Sequence, residues 1–161
     1  MFASKIGTKN PDNYQIGRNV ERRVCRFLDN KGWETVLSPG SRGPADVMAT
    51  KYELKLVAKN LNECDVVKES EQKLCIQVKF RSDIEYHSLS TTEWHKLANH
   101  SQECNCIPIV ATVSRFHGKN YISRIISTDV EMDLNVLYPY DLGDGYFVYF
   151  HNILDGKEFI L

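Results

Sequence analysis

An amphipathic helix is predicted at residues 18–28, because apolar residues recur there at intervals of three and four positions. The apolar stripe consists of Val20, Val24, Phe27 and Leu28. We expect Asn19 to cap the N-terminus of this helix and Gly32 to stop its C-terminus. Glu21 lies one position from the stripe, at the edge of the buried face, where its carboxylate can reach a cleft.

The other regular elements are predicted mostly as strands. The strongest is residues 74–80, where Leu74, Ile76, Val78 and Phe80 alternate with Cys75, Gln77 and Lys79. Further strands are expected at residues 33–37, 46–49, 52–57, 107–113, 121–126, 146–150 and 159–161. Residues 38–44 contain two prolines and two glycines and predict a turn, while residues 58–72 predict a solvated excursion.

A second helix is predicted at residues 91–99, with Ser90 or Thr91 as its cap and Glu93 in its first turn. The order of elements is helix, several strands, helix, strands. This order predicts one α/β (or α+β) domain over residues 1–161, built around a central mixed sheet that is flanked by helices.

Composition places the chain among ordinary folded domains. Its 161 residues are 42% hydrophobic and 25% charged, which is close to the globular average and argues against the disordered and fibrous classes. No apolar run reaches the roughly 18–20 residues that span a membrane, and residues 1–17 show no signal-peptide core. We therefore expect a cytoplasmic or otherwise intracellular protein that is not secreted and has no membrane partner.

The five cysteines fit no disulfide framework, because their number is odd and their spacing irregular. We expect all of them to be reduced and structural. A metal site built from His100, Cys104 and Cys106 is the weaker alternative, since paired zinc ligands usually have two residues between them and Cys104 and Cys106 have one.

Charge is distributed unevenly behind a net value of −1. Residues 1–31 carry +4, residues 32–81 carry +1 and residues 82–161 carry −6. A basic N-terminal half and an acidic C-terminal half are typical of a protein that approaches a polyanion in one orientation. Uneven surface charge without any partner is the alternative.

Candidate catalytic groups converge on the strand at residues 74–80. Gln77 and Lys79 are two positions apart, so their side chains project from the same face. Asp46 can place a carboxylate beside them, and Glu21 can close the cluster. Hydrolysis of a phosphodiester needs oxygen ligands for a divalent cation, an oriented water and a positive group for the transition state. The predicted Mg²⁺ ligands are Asp46, Gln77, Glu21 and the Val78 carbonyl, and Lys79 is the predicted positive group.

This order of motifs resembles the PD-(D/E)XK, or restriction-endonuclease-like, nuclease superfamily, and within it the archaeal Holliday-junction resolvases. The resemblance covers about residues 16–82. It rests on the glycine-x-x-x-glutamate-arginine helix, a loop serine, an aspartate that opens a strand, and the acid-x-lysine strand, which correspond to Gly17 to Arg22, Ser41, Asp46 and Gln77-Val78-Lys79.

The resemblance implies a restriction-endonuclease-like core at about residues 16–126, with a C-terminal extension at about 127–161. It also implies Mg²⁺-dependent cleavage of duplex or branched DNA, with Mn²⁺ as a substitute, by a homodimer or higher homo-oligomer. Whether the substrate is a four-way junction, a restriction site or a homing site stays open. DNA contacts are expected from Arg18, Arg22, Ser41, Arg42 and Arg81.

Two departures from the family pattern keep other functions open. Gln77 stands where the family has an acid, and a neutral ligand should bind the metal less strongly. The interval between Asp46 and Gln77 is also long, so residues 52–72 form an insertion or an extended hairpin.

The first alternative is a weak or inactive nuclease fold that binds nucleic acid or a protein. The second is an interaction subunit in which the motif is coincidental. Taken singly, Glu21 fits a solvated helix residue, Asp46 a turn residue and Lys79 an exposed sheet lysine.

Overall fold

One mixed sheet organises the part of the chain that this computed structural model describes, namely residues 13–39, 43–81, 89–115 and 139–161. Its elements, in chain order, are α1 (Asn13–Asn30), β1 (Glu34–Leu37), β2 (Val47–Asn60), β3 (Glu63–Arg81), α2 (Thr91–Cys104), β4 (Ile107–Arg115), β5 (Tyr140–Gly143) and β6 (Tyr146–Asn152). The strand order is β1-β2-β3-β4-β6-β5. Only β3 and β4 pair in parallel within this sheet, and the other neighbours are antiparallel. The predicted α/β class with a mixed sheet is confirmed.

Helix α1 is longer than predicted. It begins at Asn13, so the expectation that Asn19 caps it is wrong, and Asn19 instead accepts a hydrogen bond from Arg22 within the helix. Residues 13–17 contain no buried apolar side chain, which is why periodicity did not reveal these turns.

The predicted stop at Gly32 is confirmed. Gly32 has φ +91°, a conformation that glycine adopts without a steric penalty. The Gly32 N–H donates to the Asp29 carbonyl over 3.1 Å, and the Trp33 N–H donates to the Leu28 carbonyl over 3.0 Å. This pair of bonds is a Schellman motif, and its flanking residues Leu28 and Trp33 are both in the core.

The two helices cover opposite faces of the sheet. The apolar stripe of α1, with Val20, Val24 and Leu28, packs against buried residues of β2, β3, β4 and β6, namely Val47, Leu74, Ile76, Ile109, Val113, Val148 and Phe150. On the other face, Leu97 of α2 packs with Ala45 and Cys75. Because β3 is enclosed on both faces at Leu74 to Ile76, it is a rigid support for the residues that follow.

Helix α2 follows the prediction at its start and exceeds it at its end. Ser90 is the N-cap, and its hydroxyl accepts a hydrogen bond from the Glu93 N–H in a capping box. The helix continues to Cys104 instead of residue 99. It connects β3 to the parallel β4, as a crossover helix does in a βαβ unit.

Several strand predictions need correction. The strands expected at residues 46–49 and 52–57 are one strand, β2, and the excursion expected at residues 58–72 is part of a hairpin with its turn at Leu61 and Asn62. Residues 159–161 are not a strand, although the Phe159 N–H donates to the Phe150 carbonyl. The strand predicted at residues 121–126 lies outside the described residues. Residues 140–152 add β5 and β6 to the same sheet as the predicted core.

The β2–β3 hairpin extends well beyond the covered part of the sheet. Every residue from 52 to 73, which we call the arm, is exposed. One face of the arm carries Tyr52, Leu54, Leu56 and, across from Leu56, Val66; Leu56 is 72% exposed. The opposite face carries mainly charged residues. The extended hairpin predicted for residues 52–72 is therefore confirmed as a two-faced ribbon.

Hydrogen exchange should separate the arm from the rest of the hairpin. An isolated two-stranded ribbon is only marginally stable in water, so amides of residues 54–67 should exchange far faster than those of residues 74–78, which belong to the enclosed sheet. Mass-spectrometric exchange on peptides that split β3 near Lys73 measures this difference. Equal protection in both halves would contradict the expectation and show that the arm is covered in solution.

Candidate active site

Asp46 lies where β3 continues past the start of β2. β2 begins at Val47, which is paired with Ile76, whereas β3 runs on to Arg81. The Asp46 N–H donates to the Ile76 carbonyl over 2.8 Å, and the Asp46 carbonyl accepts from the Ser38 N–H over 2.8 Å. Its Oδ2 accepts from the Val78 N–H, also over 2.8 Å. The carboxylate thus takes the place of a backbone partner along the open edge of β3.

Glu21 reaches this edge from α1, with only 6% of its surface exposed. Arg18 Nη1 donates to Glu21 Oε2 over 2.9 Å and to the Ser38 carbonyl over 2.8 Å. The backbone N–H of Ser38 is the one that bonds Asp46. Arg18 therefore ties the helix that carries Glu21 to the segment that positions Asp46.

Both carboxylates are buried, and burial disfavours their charged form. Burial raises the pKa of Glu21, and repulsion from Asp46 raises it further, against the opposing effect of Arg18. Burial also raises the pKa of Asp46, while the Val78 N–H and the charges of Lys79 and Arg18 oppose that increase. Asp46 is likewise 6% exposed. Two neighbouring buried acids of this kind are typical of functional sites.

Gln77 and Lys79 share the face of β3 that is turned toward α2, as Cys75 does. Both are half-buried. Lys79 Nζ donates to Glu93 Oε2 in the first turn of α2, and this bond to Lys79 is the main reason why the pKa of Glu93 is lowered. Repulsion from Glu93 also acts on Asp46, so both ends of the ion pair lie within electrostatic reach of that carboxylate.

Asp46 therefore lies within electrostatic reach of Glu21 and, separately, of Lys79, and its Oδ2 accepts a hydrogen bond from the backbone N–H of Val78. The N–H and C=O of a strand residue point to the same edge, so the Val78 carbonyl faces the open edge as well. Gln77 lies opposite Val110 in the register with β4, on the side of Lys79.

The predicted DNA contacts are only partly within the described residues. Arg22 is exposed on α1 and bonds only weakly to Asn19, over 3.4 Å. Arg18 is engaged with Glu21 and Ser38, as described above. Ser41, Arg42 and the side chain of Arg81 lie outside the described residues.

Glu93 was not singled out from the sequence as a site residue. It was visible there only as an acid in the first turn of a helix. The signal that points to it is topological: in a unit of two parallel strands and a crossover helix, the start of the helix lies near the end of the first strand. Capping patterns alone do not reveal such a contact.

The donor set fits a divalent cation that keeps part of its water. Among the described residues, no group of three or more His, Cys, Asp and Glu side chains is placed to hold a metal. The alternative site at His100, Cys104 and Cys106 therefore gains no support, although Cys104 Sγ is 3.7 Å from His100 Nε2. Mg²⁺ is usually bound by one or two carboxylates and retains several waters. The two buried carboxylates of Glu21 and Asp46, with Val78 at the same edge, meet that requirement.

The buried charge of Asp46 should make stability depend on pH. Its pKa is higher in the folded than in the unfolded chain, so in metal-free protein stability should fall as pH rises from the unfolded pKa through the folded one. Asp46→Asn keeps an acceptor for the Val78 N–H and removes the charge, so it should unfold at a higher temperature than wild type at neutral pH. This gain should vanish at acidic pH.

Thermal unfolding at several pH values measures the effect. Asp155→Asn, at an exposed carboxylate of the C-terminal loop, is the matched control and should change nothing. A lower unfolding temperature for Asp46→Asn at neutral pH would contradict the argument.

Comparison with known proteins identifies a family for the chain. A family profile described as archaeal Holliday junction resolvase (Hjc) matches residues 12–132. The Hjc resolvase structure of the archaeal hyperthermophile Archaeoglobus fulgidus is 19% identical, with a TM-score of 0.43. That match covers 61% of this chain and 64% of the other, which is less than two thirds of its length. No curated protein sequence matches the chain. Since the profile spans most of the sequence, the chain belongs to the archaeal Holliday junction resolvase (Hjc) family.

Proposed function

We propose that the protein is a Mg²⁺-dependent endonuclease that hydrolyses phosphodiester bonds in four-way DNA junctions. The observation that carries the proposal is the pair of buried carboxylates, Glu21 and Asp46, beside Lys79 at the open edge of β3. The family of the chain supports this choice of substrate over a restriction or homing site. No helix among the described residues is long and apolar enough to cross a membrane.

The residues at the open edge have distinct roles in this proposal. Asp46 and Glu21 would hold the cation, with Mn²⁺ as a substitute for Mg²⁺, and the Gln77 amide and the Val78 carbonyl would complete the protein ligands. When bound, the cation neutralises the phosphate and makes its bound water more acidic. Asp46 is fixed by three hydrogen bonds, so it needs little rearrangement to act as a ligand.

Lys79 supplies the positive charge near the reacting phosphate. A fixed ammonium in a partly buried site stabilises the extra negative charge of the transition state more than it would in water. It also orients the attacking water by hydrogen bonding. We assign Arg18 to organising the site, because its guanidinium already bonds Glu21 and Ser38.

DNA would approach along α1. A groove between α1 and β1 is lined by Arg22, Arg26, Cys25, Thr35 and Leu37. The two exposed arginines can bind phosphates that flank the cleaved bond. Cutting two opposed strands of a junction needs two active sites, so we propose a homodimer as the working form.

Cleavage of a synthetic four-way junction tests the proposal. Wild type should cut it with Mg²⁺ and not with chelator. Asp46→Asn and Lys79→Met should each lower the cleavage rate constant by about 10²–10³-fold, as is usual when one electrostatic group is lost. Asp155→Asn and Lys157→Met, at exposed positions of the C-terminal loop, are matched controls and should cut at the wild-type rate.

A binding module is the second candidate, and the neutral Gln77 is the observation that favours it. It predicts junction binding by wild type without any cleavage. The endonuclease proposal fails if wild type leaves the junction intact with both Mg²⁺ and Mn²⁺, or if both site variants cut normally.

Arg22 should contribute through charge alone. Arg22→Gln should weaken junction binding at low salt and reduce the slope of log Kd against log salt by about one. Cleavage at saturating protein should stay near the wild-type rate, because the charge of Arg22 has the smallest of the effects that act on the pKa of Glu21. Fluorescence anisotropy at several salt concentrations measures the slope. An unchanged slope would exclude a phosphate contact at this position.

A further inference from the structure

Glu93 is a carboxylate at this site that the proposed reaction does not yet use. It lies in the first turn of α2, across from β3. Its Oε2 accepts a hydrogen bond from Lys79 Nζ, and its Oε1 accepts one from the Ser90 N–H over 3.3 Å. The carboxylate is therefore held at both oxygens, and it links the start of α2 to the lysine of the site.

The side-chain charges on this face of β3 indicate a role for the contact between Glu93 and Lys79. Gln77 is two positions before Lys79 on the same strand face, and it is neutral. An ammonium with no negative partner on that face would repel a divalent cation at Asp46. Glu93 places a negative charge beside the same ammonium from the neighbouring helix. Its influence reaches Asp46, whose pKa it raises by repulsion.

We propose that Glu93 is a positioning residue of this active site, which holds the Lys79 ammonium in place and supplies the negative charge that Gln77 lacks. The proposal rests on the metal-dependent function given above. In this proposal, the acid that the family pattern has at the position of Gln77 on β3 is replaced by Glu93 on α2. The negative charge beside Lys79 is thereby kept. Glu93 acts through Lys79, because its Oε2 accepts a hydrogen bond from the Lys79 ammonium.

The competing explanation is purely structural. Glu93 is also the third helical residue of the capping box with Ser90, and such a residue can be retained only for helix stability. Glutamine serves a capping box as well as glutamate does. Glu93→Gln therefore removes the charge and keeps the cap, whereas Glu93→Ala removes both.

The experiment measures Mn²⁺ binding to metal-free protein by isothermal titration calorimetry, without DNA. Glu93→Gln should weaken the affinity about tenfold, as loss of a residue that supports metal ligands usually does. The double variant Gln77→Glu with Glu93→Gln should recover most of this loss. Glu103→Gln, at an exposed glutamate near the other end of α2, is the matched control and should bind Mn²⁺ as wild type does.

Thermal unfolding and junction cleavage complete the test. Glu93→Gln should unfold near the wild-type temperature and Glu93→Ala below it, which separates charge from capping. Cleavage by Glu93→Gln at saturating Mn²⁺ should fall in kcat more than it changes KM, and the double variant should restore it.

Wild-type affinity in Glu93→Gln would overturn the proposal. So would a loss that Gln77→Glu does not repair, because the charge would then not be interchangeable between the two positions. Either result leaves cleavage by wild type intact. Failure of the proposed function is distinct, since wild type itself would then not cut the junction.

Discussion

The site depends on an unequal pairing of two strands. β3 runs to Arg81, but β2 starts opposite Ile76, so the Val78 N–H would have no ladder partner at that edge. A buried amide left without a partner costs about 1–3 kcal/mol. The Asp46 carboxylate provides the partner, which couples the folding of the sheet to the placement of a candidate metal ligand. α1 then brings Glu21 to the same edge, and Arg18 fixes the distance between helix and turn through the Ser38 carbonyl.

The burial of two acids at the candidate site lowers the free energy of unfolding of the metal-free protein. Glu21 and Asp46 are acids that the fold keeps out of water, and Arg18 and Lys79 offset only part of the penalty. The fold accommodates this penalty because the strands next to the two acids are enclosed on both faces of the sheet. A cation bound between the two acids would return part of that free energy, so metal binding and folding are thermodynamically linked in the proposed function.

The elements that the sequence predicts correctly are those whose signal comes from neighbouring residues. The stripe from Val20 to Leu28, the alternation around Ile76, the cap at Ser90 and the stop at Gly32 all reflect neighbours within a few residues, and these predictions are confirmed. The prediction that Glu21, Asp46 and Lys79 form one site came from combining such elements with the family motifs. The first turns of α1 were missed because they bury no apolar side chain. The length of the arm and the Glu93–Lys79 pair were missed or only partly foreseen, because each depends on contacts between residues that are distant in sequence.

The arm also makes the chain prone to pair with other copies of itself through the edges of its strands. β1 pairs with β2 only as far as Thr50, so beyond that point both outer edges of the hairpin present unpaired backbone groups. Such edges invite strand addition from another molecule. Lys51, Lys55 and Lys59 stand at every fourth position along one of these edges, and Lys59 is paired with Asp65 across the ribbon. Charges of this spacing act as gatekeepers against aggregation, so they oppose pairing of the exposed apolar ribbon with a second copy of the chain.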